Sequence, residues 1–301
     1  MEIIHVPVMK SEALQLLRPR GEGWIVDASV GLGGHAEAIV STQGFTGRLL
    51  GLDRDADALA IARRRLEPFQ DRVRLRHAEF ADLGAVLSRE GLGRIDGLLI
   101  DLGVSSMQLE NPDRGFSLLR DGPIDMRMDP SRGETVAQLL GRLGAHDLET
   151  ILREYGEERY AGRIARAIIE AQRAGRLHST GELADVIARA VRQRPGSRRL
   201  HPATRSFMAM RLFVNRELDQ LKQVMMQAPD VLNAGGRLVV IAYHSLEDRI
   251  TKQTLRAQAR QGVWELLTPK PLRPSLDEVR ANPRCRSGRL RAALRLAPAT
   301  D

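Results

Sequence analysis

The sequence predicts a Rossmann-like α/β sheet interrupted by an all-helical insertion, and three observations carry that prediction. The stretch from Trp24 to Asp53 runs strand, glycine turn, helix, strand, acid. Further short apolar runs, at 73–78, 95–100 and 235–242, are spaced by helical patterns, as in a mainly parallel sheet. Between Met107 and about Arg211 that strand rhythm stops and only helical periodicity remains.

In the first of these, Trp24 to Val30 reads as a buried strand bounded by Gly23 and Gly31. Gly31-Leu-Gly33-Gly34-His35 opens a helix carrying Ala36, Ala38, Ile39 and Val40, and Arg48 to Asp53 is a second strand ending on a carboxylate. Glycines let a backbone approach a ligand, a helix N-terminus offers free N–H groups, and an acid at this place accepts from ribose hydroxyls. The unit therefore suits an adenosine-type cofactor. Gly31, Gly33 and Ala36 satisfy the G-x-G-x-x-G/A form that admits NAD. Asp27, separated from Gly31 by three residues, suits S-adenosylmethionine equally well.

The remaining elements follow in order. In the entry segment, His5 is read as a packing or capping residue, Ser11 as the N-cap of a short helix, and Ala13, Leu14 and Leu17 as its apolar face. A helix over 56–66 precedes the third strand, 73–78, whose alternation puts Val73 and Leu75 on one face. Phe80 follows that strand, where an aromatic ring stacks on adenine or fills core. Ile95 to Ile100 is apolar enough for burial on both faces and runs into Asp101-Leu-Gly-Val-Ser-Ser106. Turn-rich loops come next (Asn111–Gly115 and Asp121–Pro130), then helices at about 134–142, 146–155, 157–174 and 180–192. The loop 193–202 is the expected mobile segment. One long helix is expected from Pro202, with Phe207, Met210, Val214, Leu218, Leu221 and Met225 on its apolar face. The fifth strand, 235–242, leads into Tyr243 to Arg249, and two more strands are expected at 263–268 and 290–296. The expected division is residues 1–106 and 212–301 for the sheet, with 107–211 as the inserted substrate-recognition domain.

Composition narrows the function. The chain has 301 residues, a net charge of +8 and 43% hydrophobic content, with no apolar run of membrane-spanning length and no signal-peptide pattern. Its single cysteine, Cys285, excludes an internal disulfide and a cysteine-rich metal site, and fits a reducing, cytoplasmic compartment. From Arg159 to Arg211 twelve arginines face three acids, and from Lys270 onward eight basic residues face three acids. Such segments suit a polyanionic partner, most simply nucleic acid, without a membrane. Arg163, Arg166, Arg198, Arg199 and Arg205 are the candidate phosphate contacts.

A resemblance then enters on specific motifs. Gly33-Gly-His35, Asp101 to Ser106, Arg114-Gly-Phe-Ser117, Asp121 to Pro130, Tyr155 to Arg159, His201 to Arg205, His244 to Arg249 and Asn282 to Ser287 occur together and in order. Over essentially its whole length the chain resembles the RsmH/MraW family of ribosomal RNA small-subunit methyltransferases. That resemblance implies a class I S-adenosylmethionine-dependent methyltransferase with an inserted helical domain. It implies transfer to the exocyclic N(4) amine of a cytidine in the decoding centre of 16S rRNA. The implied cofactor contacts are Gly33, Gly34, His35, Asp53, Phe80, Asp101 and Gln108, with no metal. The implied partner is the small ribosomal subunit, and a homodimer is left open. The chain departs from the family pattern at Met107 (proline is usual), Tyr243 (phenylalanine) and Cys285 (alanine).

For chemistry, Asp125, His244 and Ser245 are the candidate catalytic residues. Asp125 would reach the site from its loop, while His244 and Ser245 would contact the base or relay its proton. Cys285 lies in the tail, away from the glycine turn in sequence, which argues against thiol-based pyrimidine carbon methylation. Two other readings compete: an NAD-linked dehydrogenase, and an RNA-binding ribosome-assembly protein with a vestigial cofactor pocket.

Overall fold

A computed structural model describes residues 7–191 and 201–298. His5, Arg198, Arg199 and positions 193–200 of the loop expected to be mobile lie outside the described residues. The chain divides into two compact units, Met1–Gly103 with Leu218–Asp301, and Val104–Glu217.

In the first unit the order is α1 (Lys10–Leu17), β1 (Trp24–Asp27), α2 (Gly34–Val40), β2 (Arg48–Asp53), α3 (Ala56–Arg65), β3 (Val73–His77), α4 (Leu83–Arg89) and β4 (Ile95–Asp101). The second unit holds α5 (Ser106–Glu110), α6 (Val136–Arg142), α7 (Ala145–Gly156), α8 (Ala161–Arg173), α9 (Thr180–Ala190) and α10 (Thr204–Val214). The chain then runs through α11 (Glu217–Val231), β5 (Leu232–Ala242), α12 (Ser245–Arg260), β6 (Trp264–Leu266), α13 (Leu276–Ala281) and β7 (Arg289–Arg295).

The strands form one sheet in the order β3-β2-β1-β4-β5-β7-β6. The pairs from β3 to β5 are parallel, and β7 pairs antiparallel with both β5 and β6. Alternate residues of the central strands enter two cores. Val26, Leu50, Leu98, Ile100, Leu238 and Val240 face α4, α11 and α12, while Ile25, Leu49, Leu99, Val239 and Ile241 face α1, α2 and α3. This period of two is what lets a short, wholly apolar strand such as β4 be buried on both faces. Among the described residues no helix is long and apolar enough to cross a membrane.

Two expected starts and one expected helix are corrected. Ser11 lies inside the first turn of α1 and does not cap it. The N-cap is Met9, in left-handed conformation (φ 51°), with its N–H donated to the Glu278 carboxylate at 2.6 Å. The helix expected from 157 begins at Ala161, because Glu157 turns left-handed (φ 48°) at the end of α7. The single long helix from Pro202 is two helices, broken where Arg216 takes φ 51°.

Within the second unit the turn-rich motifs knit to one another. Arg114 is buried, and its guanidinium donates to the carbonyls of Arg127 (3.2 Å) and Met128 (2.7 Å). Asn215 accepts from Met128 N–H (2.7 Å) and donates to the Met126 carbonyl (2.7 Å). Gly115 has φ 69°, and a Cβ there would stand 2.2 Å from the Pro123 carbonyl oxygen. Gly115→Ala therefore combines left-handed strain with a backbone clash. It is expected to destabilise the helical unit by roughly 2 kcal/mol or more, read as a lower midpoint in urea denaturation; a change within ~0.5 kcal/mol would remove the close-packing argument.

Candidate cofactor and active site

Three neighbouring parallel strands end on carboxylates at one edge of the sheet. Asp27, the last residue of β1, pairs with Gly51 of β2 and Leu99 of β4. Asp53 and Asp101 therefore each stand two residues further along, one on either side. Strand order reverses here, since β1 leads through β2 to β3 while β4 leads to β5. Open α/β sheets bind ligands beyond the carboxyl ends of the strands at such a switch point.

The glycine turn is tied to this edge. Gly31 N–H donates to Asp53 Oδ2 at 2.7 Å, and Asp55 N–H donates to Asp53 Oδ1 at 2.8 Å. Gly33 holds left-handed backbone (φ 85°) at the N-cap of α2, and no side chain caps that helix. Gly34 is the first helical residue; a Cβ added to it would lie 3.1 Å from the Pro7 ring. Burial pushes the Asp53 carboxyl up to about 6, against the pull of the Asp55 and Gly31 N–H groups.

Asp27 is 1% exposed. Its Oδ1 accepts from Ser29 N–H at 3.2 Å, and its Oδ2 has no hydrogen-bond partner. Burial pushes its pKa up to about 7; His35 opposes the rise, and the charges of Asp101 and Asp53 add to it. His35, in the first turn of α2, is also buried, and neither ring nitrogen has a hydrogen-bond partner. Its Nε2 lies 3.5 Å from Asp101 Oδ2. Burial alone would lower the imidazole pKa, but Asp101 and then Asp27 outweigh it and carry the pKa above its ordinary value.

Asp101 is held from two sides. Its N–H donates to Ser29 Oγ at 2.6 Å, and its Oδ1 accepts the Tyr243 hydroxyl at 2.9 Å. Burial, reinforced by Asp101, pushes the Tyr243 hydroxyl pKa well above its ordinary value, so the phenol remains a donor. The Tyr243 hydroxyl, read in the sequence as a departure from the resembled pattern, thus goes to Asp101. Sequence reasoning missed Ser29, whose only trace is a hydroxyl two residues beyond Asp27.

The other expected residues fall as follows. Phe80 starts a short 3-10 turn after β3 and packs, half-buried, against the α4–α11 face of the sheet. His244 is the N-cap of α12: its Nδ1 accepts Glu247 N–H at 3.4 Å, and its Nε2 lies 2.9 Å from Glu247 Oε1. Glu247 Oε2 accepts Tyr243 N–H at 2.8 Å. Ser245 is the first residue of that helix. Gly33, Gly34, His35, Asp53, Phe80, Asp101, His244 and Ser245 all belong to the sheet unit, whereas Gln108 and Asp125 belong to the helical one. Gln108 forms a capping box with Ser105 at the start of α5. Both carboxylate oxygens of Asp125 are engaged by Arg127, at 2.8 Å from Nε and 2.8 Å from Nη2.

A buried acid oxygen with no hydrogen-bond partner, beside a buried imidazole paired with Asp101, fits a ligand whose amino-acid part carries an ammonium and a carboxylate. Among the described residues there is no His, Cys, Asp and Glu cluster suited to a metal ion.

Residues 2–296 match the sequence profile of the MraW methylase family. The chain belongs to the MraW methylase family. It is 48% identical to ribosomal RNA small subunit methyltransferase H of Sorangium cellulosum over 298 residues, covering 98% of this chain and 92% of that one. It is 46% identical to the protein of the same name from Methylococcus capsulatus, covering 95% and 98% of the two chains. A crystal structure of an rRNA methylase from Streptococcus thermophilus is 11% identical with a TM-score of 0.44, covering 96% of this chain and 94% of that one.

In this MraW-family chain the unusual acid is Asp27, and its pH dependence can be signed. A carboxyl whose folded pKa is raised contributes stability at low pH, which is lost as pH climbs from 3.8 to about 7. Asp27→Asn, which cannot ionise, is expected to melt at nearly the wild-type temperature at pH 4. At pH 8, without cofactor, it is expected to melt roughly 2–6 °C higher. A gap that stays constant across this range in differential scanning calorimetry would show that Asp27 is not strained by burial.

Proposed function

We propose that this chain transfers a methyl group from S-adenosylmethionine to the exocyclic N(4) amine of a cytidine in the decoding centre of 16S rRNA. Its coarser part, S-adenosylmethionine-dependent methylation of small-subunit ribosomal RNA, follows from family membership and full-length likeness to the named methyltransferases. The finer part, the atom and the position, rests on the motif resemblance. The observation that carries the reading is the cluster of buried Asp27 and His35 with half-buried Asp101 and Tyr243 at the strand-order reversal. A methylase family and a ligand part of both signs favour S-adenosylmethionine over NAD.

When bound, S-adenosylmethionine supplies a sulfonium methyl already activated for transfer. The protein's task is placement, because the cytosine amine is a weak nucleophile whose lone pair is delocalised into the ring. Gly33 and Gly34 admit the ligand close to backbone, and Asp53 offers its carboxylate to ribose hydroxyls. Phe80 borders the adenine, while Asp101 and His35 hold the amino-acid part. The substrate base must leave its stack to be reached. His244 and Ser245, past the end of β5, are the proposed contacts to that base. Asp125 is the less favoured proton acceptor, since Arg127 neutralises it. Arg163, Arg166 and Arg205 are exposed, although Arg205 also donates to the Glu157 carbonyl at 3.1 Å. They are the proposed phosphate contacts of the helical unit.

Mass mapping of 16S rRNA from cells with and without this protein tests the reading. One cytidine should lose 14 Da in the absence of the protein; an unchanged map, or a loss on another base, would contradict it. For the cofactor, Asp53→Ala is expected to weaken S-adenosylmethionine binding by roughly 10–100-fold with RNA affinity little changed. Unaltered calorimetric affinity would remove the ribose role.

A further inference from the structure

At least four of the eight basic residues of the tail are engaged within the fold. Arg289 and Arg291 reach Asp248 (3.4 and 2.7 Å), Arg280 pairs with Asp277 (3.1 Å), and Arg295 donates to the carbonyls of Pro229, Val263 and Leu296. Lys270 is different. It lies on the lip of an open cleft of about 600 Å³, whose walls include Leu16 of α1 and Leu267, Pro269 and Leu272 of the segment after β6.

More positive charge gathers beside this cleft. Arg237 of β5 donates to the Leu16 carbonyl at 2.7 Å, closing the end of α1, whose own last turn has no basic residue. Burial, and then the charges of Arg18 and Arg20, hold the Arg237 guanidinium below its ordinary pKa, with Glu265 opposing. Arg18 and Arg20 are exposed, and neither has an ion-pair partner among the described residues. Pro19 between them is buried, and Arg18 is left-handed (φ 49°), so backbone constraint fixes the place of this pair. Exposed cations next to an apolar floor are complementary to a polyanion with an apolar face. An RNA strand has both. The cleft is set aside from the cofactor edge across the sheet: Leu272 bridges Leu290 of β7, which pairs with Ile241 of β5 and through it with Asp101 of β4, three strand spacings or roughly 14 Å.

We propose that this cleft is a second RNA contact of the sheet unit. A single strand of small-subunit rRNA lies across it, phosphates on Arg18, Arg20 and Lys270, sugar and base edges on Leu16 and Leu272. The proposal rests on the reading of this chain as an rRNA methyltransferase. It adds an anchor distant from the target base, which would favour a large folded RNA over a short oligonucleotide.

The test uses the full chain with the substitutions Arg18→Ala, Arg20→Ala and Lys270→Ala combined. Their melting temperature and S-adenosylmethionine affinity should match wild type, because none of the three touches the cofactor edge. Binding to naked 16S rRNA is measured from low to physiological salt by fluorescence anisotropy. The triple variant should bind roughly 10-fold more weakly at low salt, with the log–log salt slope reduced by about 2–3. Methylation of small subunits should show a raised KM and an unchanged kcat. Wild-type affinity and slope in the triple variant would overturn the proposal. So would a defect seen with assembled subunits but not with naked rRNA, which would make the occupant a ribosomal protein. Should the wild-type chain bind rRNA through the cleft yet transfer no methyl, the contact would stand and the enzymatic reading would fall.

Discussion

Three acids converge on one edge of the sheet, and the fold must hold them there with too little water and too few partners. Register places Asp53 and Asp101 symmetrically about Asp27, so their charges add to the cost that burial sets on ionising Asp27. Two are anchored: Asp53 by the Gly31 and Asp55 N–H groups, Asp101 by the Tyr243 hydroxyl. Asp27 keeps one oxygen without a partner in a fully packed environment. A buried acid in that condition is unfavourable for the empty protein and favourable for a cationic ligand that completes it. The strand-order reversal creates the crevice, but this unfinished electrostatic arrangement gives it chemical character.

The helical unit obeys a different rule. Several motifs that look functional in the sequence serve its packing: Arg114 ties down the carbonyls of Arg127 and Met128, and Gly115 fits under Pro123 where no Cβ could. Gly156 lies 2.9 Å, measured from an added Cβ, from the Arg205 carbonyl oxygen, and Arg205 returns a hydrogen bond to Glu157. Arginine in this chain serves as a carbonyl-binding strut, as the ion-pair partner of an acid and as an exposed cation, and Arg205 is at once a strut and exposed.

Much of the sheet was legible because its signals are local. Period-two alternation, glycines at a turn and an acid closing a strand need only neighbouring residues. What failed depended on residues distant in sequence. Ser11 has the side chain of an N-cap, yet α1 starts earlier because Glu278 holds the Met9 N–H. The long helix after Pro202 was misread for a subtler reason. Its apolar period continues unbroken from Phe207 to Met225, but Phe207 and Met210 enter the core of the helical unit while Leu221 and Met225 enter that of the sheet. A left-handed Arg216 separates them, and nothing in the periodicity marks it. At the site, the glycine turn, Asp27 and Asp53 were visible from spacing. The role of Ser29 was not, because a single hydroxyl reveals nothing until β4 places Asp101 beside it. Tyr243 stands out in the sequence only through the resemblance, and only the structure directs its hydroxyl to Asp101.

The central claim is that the unpartnered acid on β1, with its neighbours on β2 and β4, is completed by a methyl donor. A crystal structure with S-adenosylhomocysteine tests it most directly. The account predicts the ligand's ammonium within hydrogen-bonding distance of Asp27 or Asp101, its ribose on Asp53, and its adenine beside Phe80. A ligand bound elsewhere, or one bound in the crevice with no contact to Asp27, Asp101 or Asp53, would contradict the account.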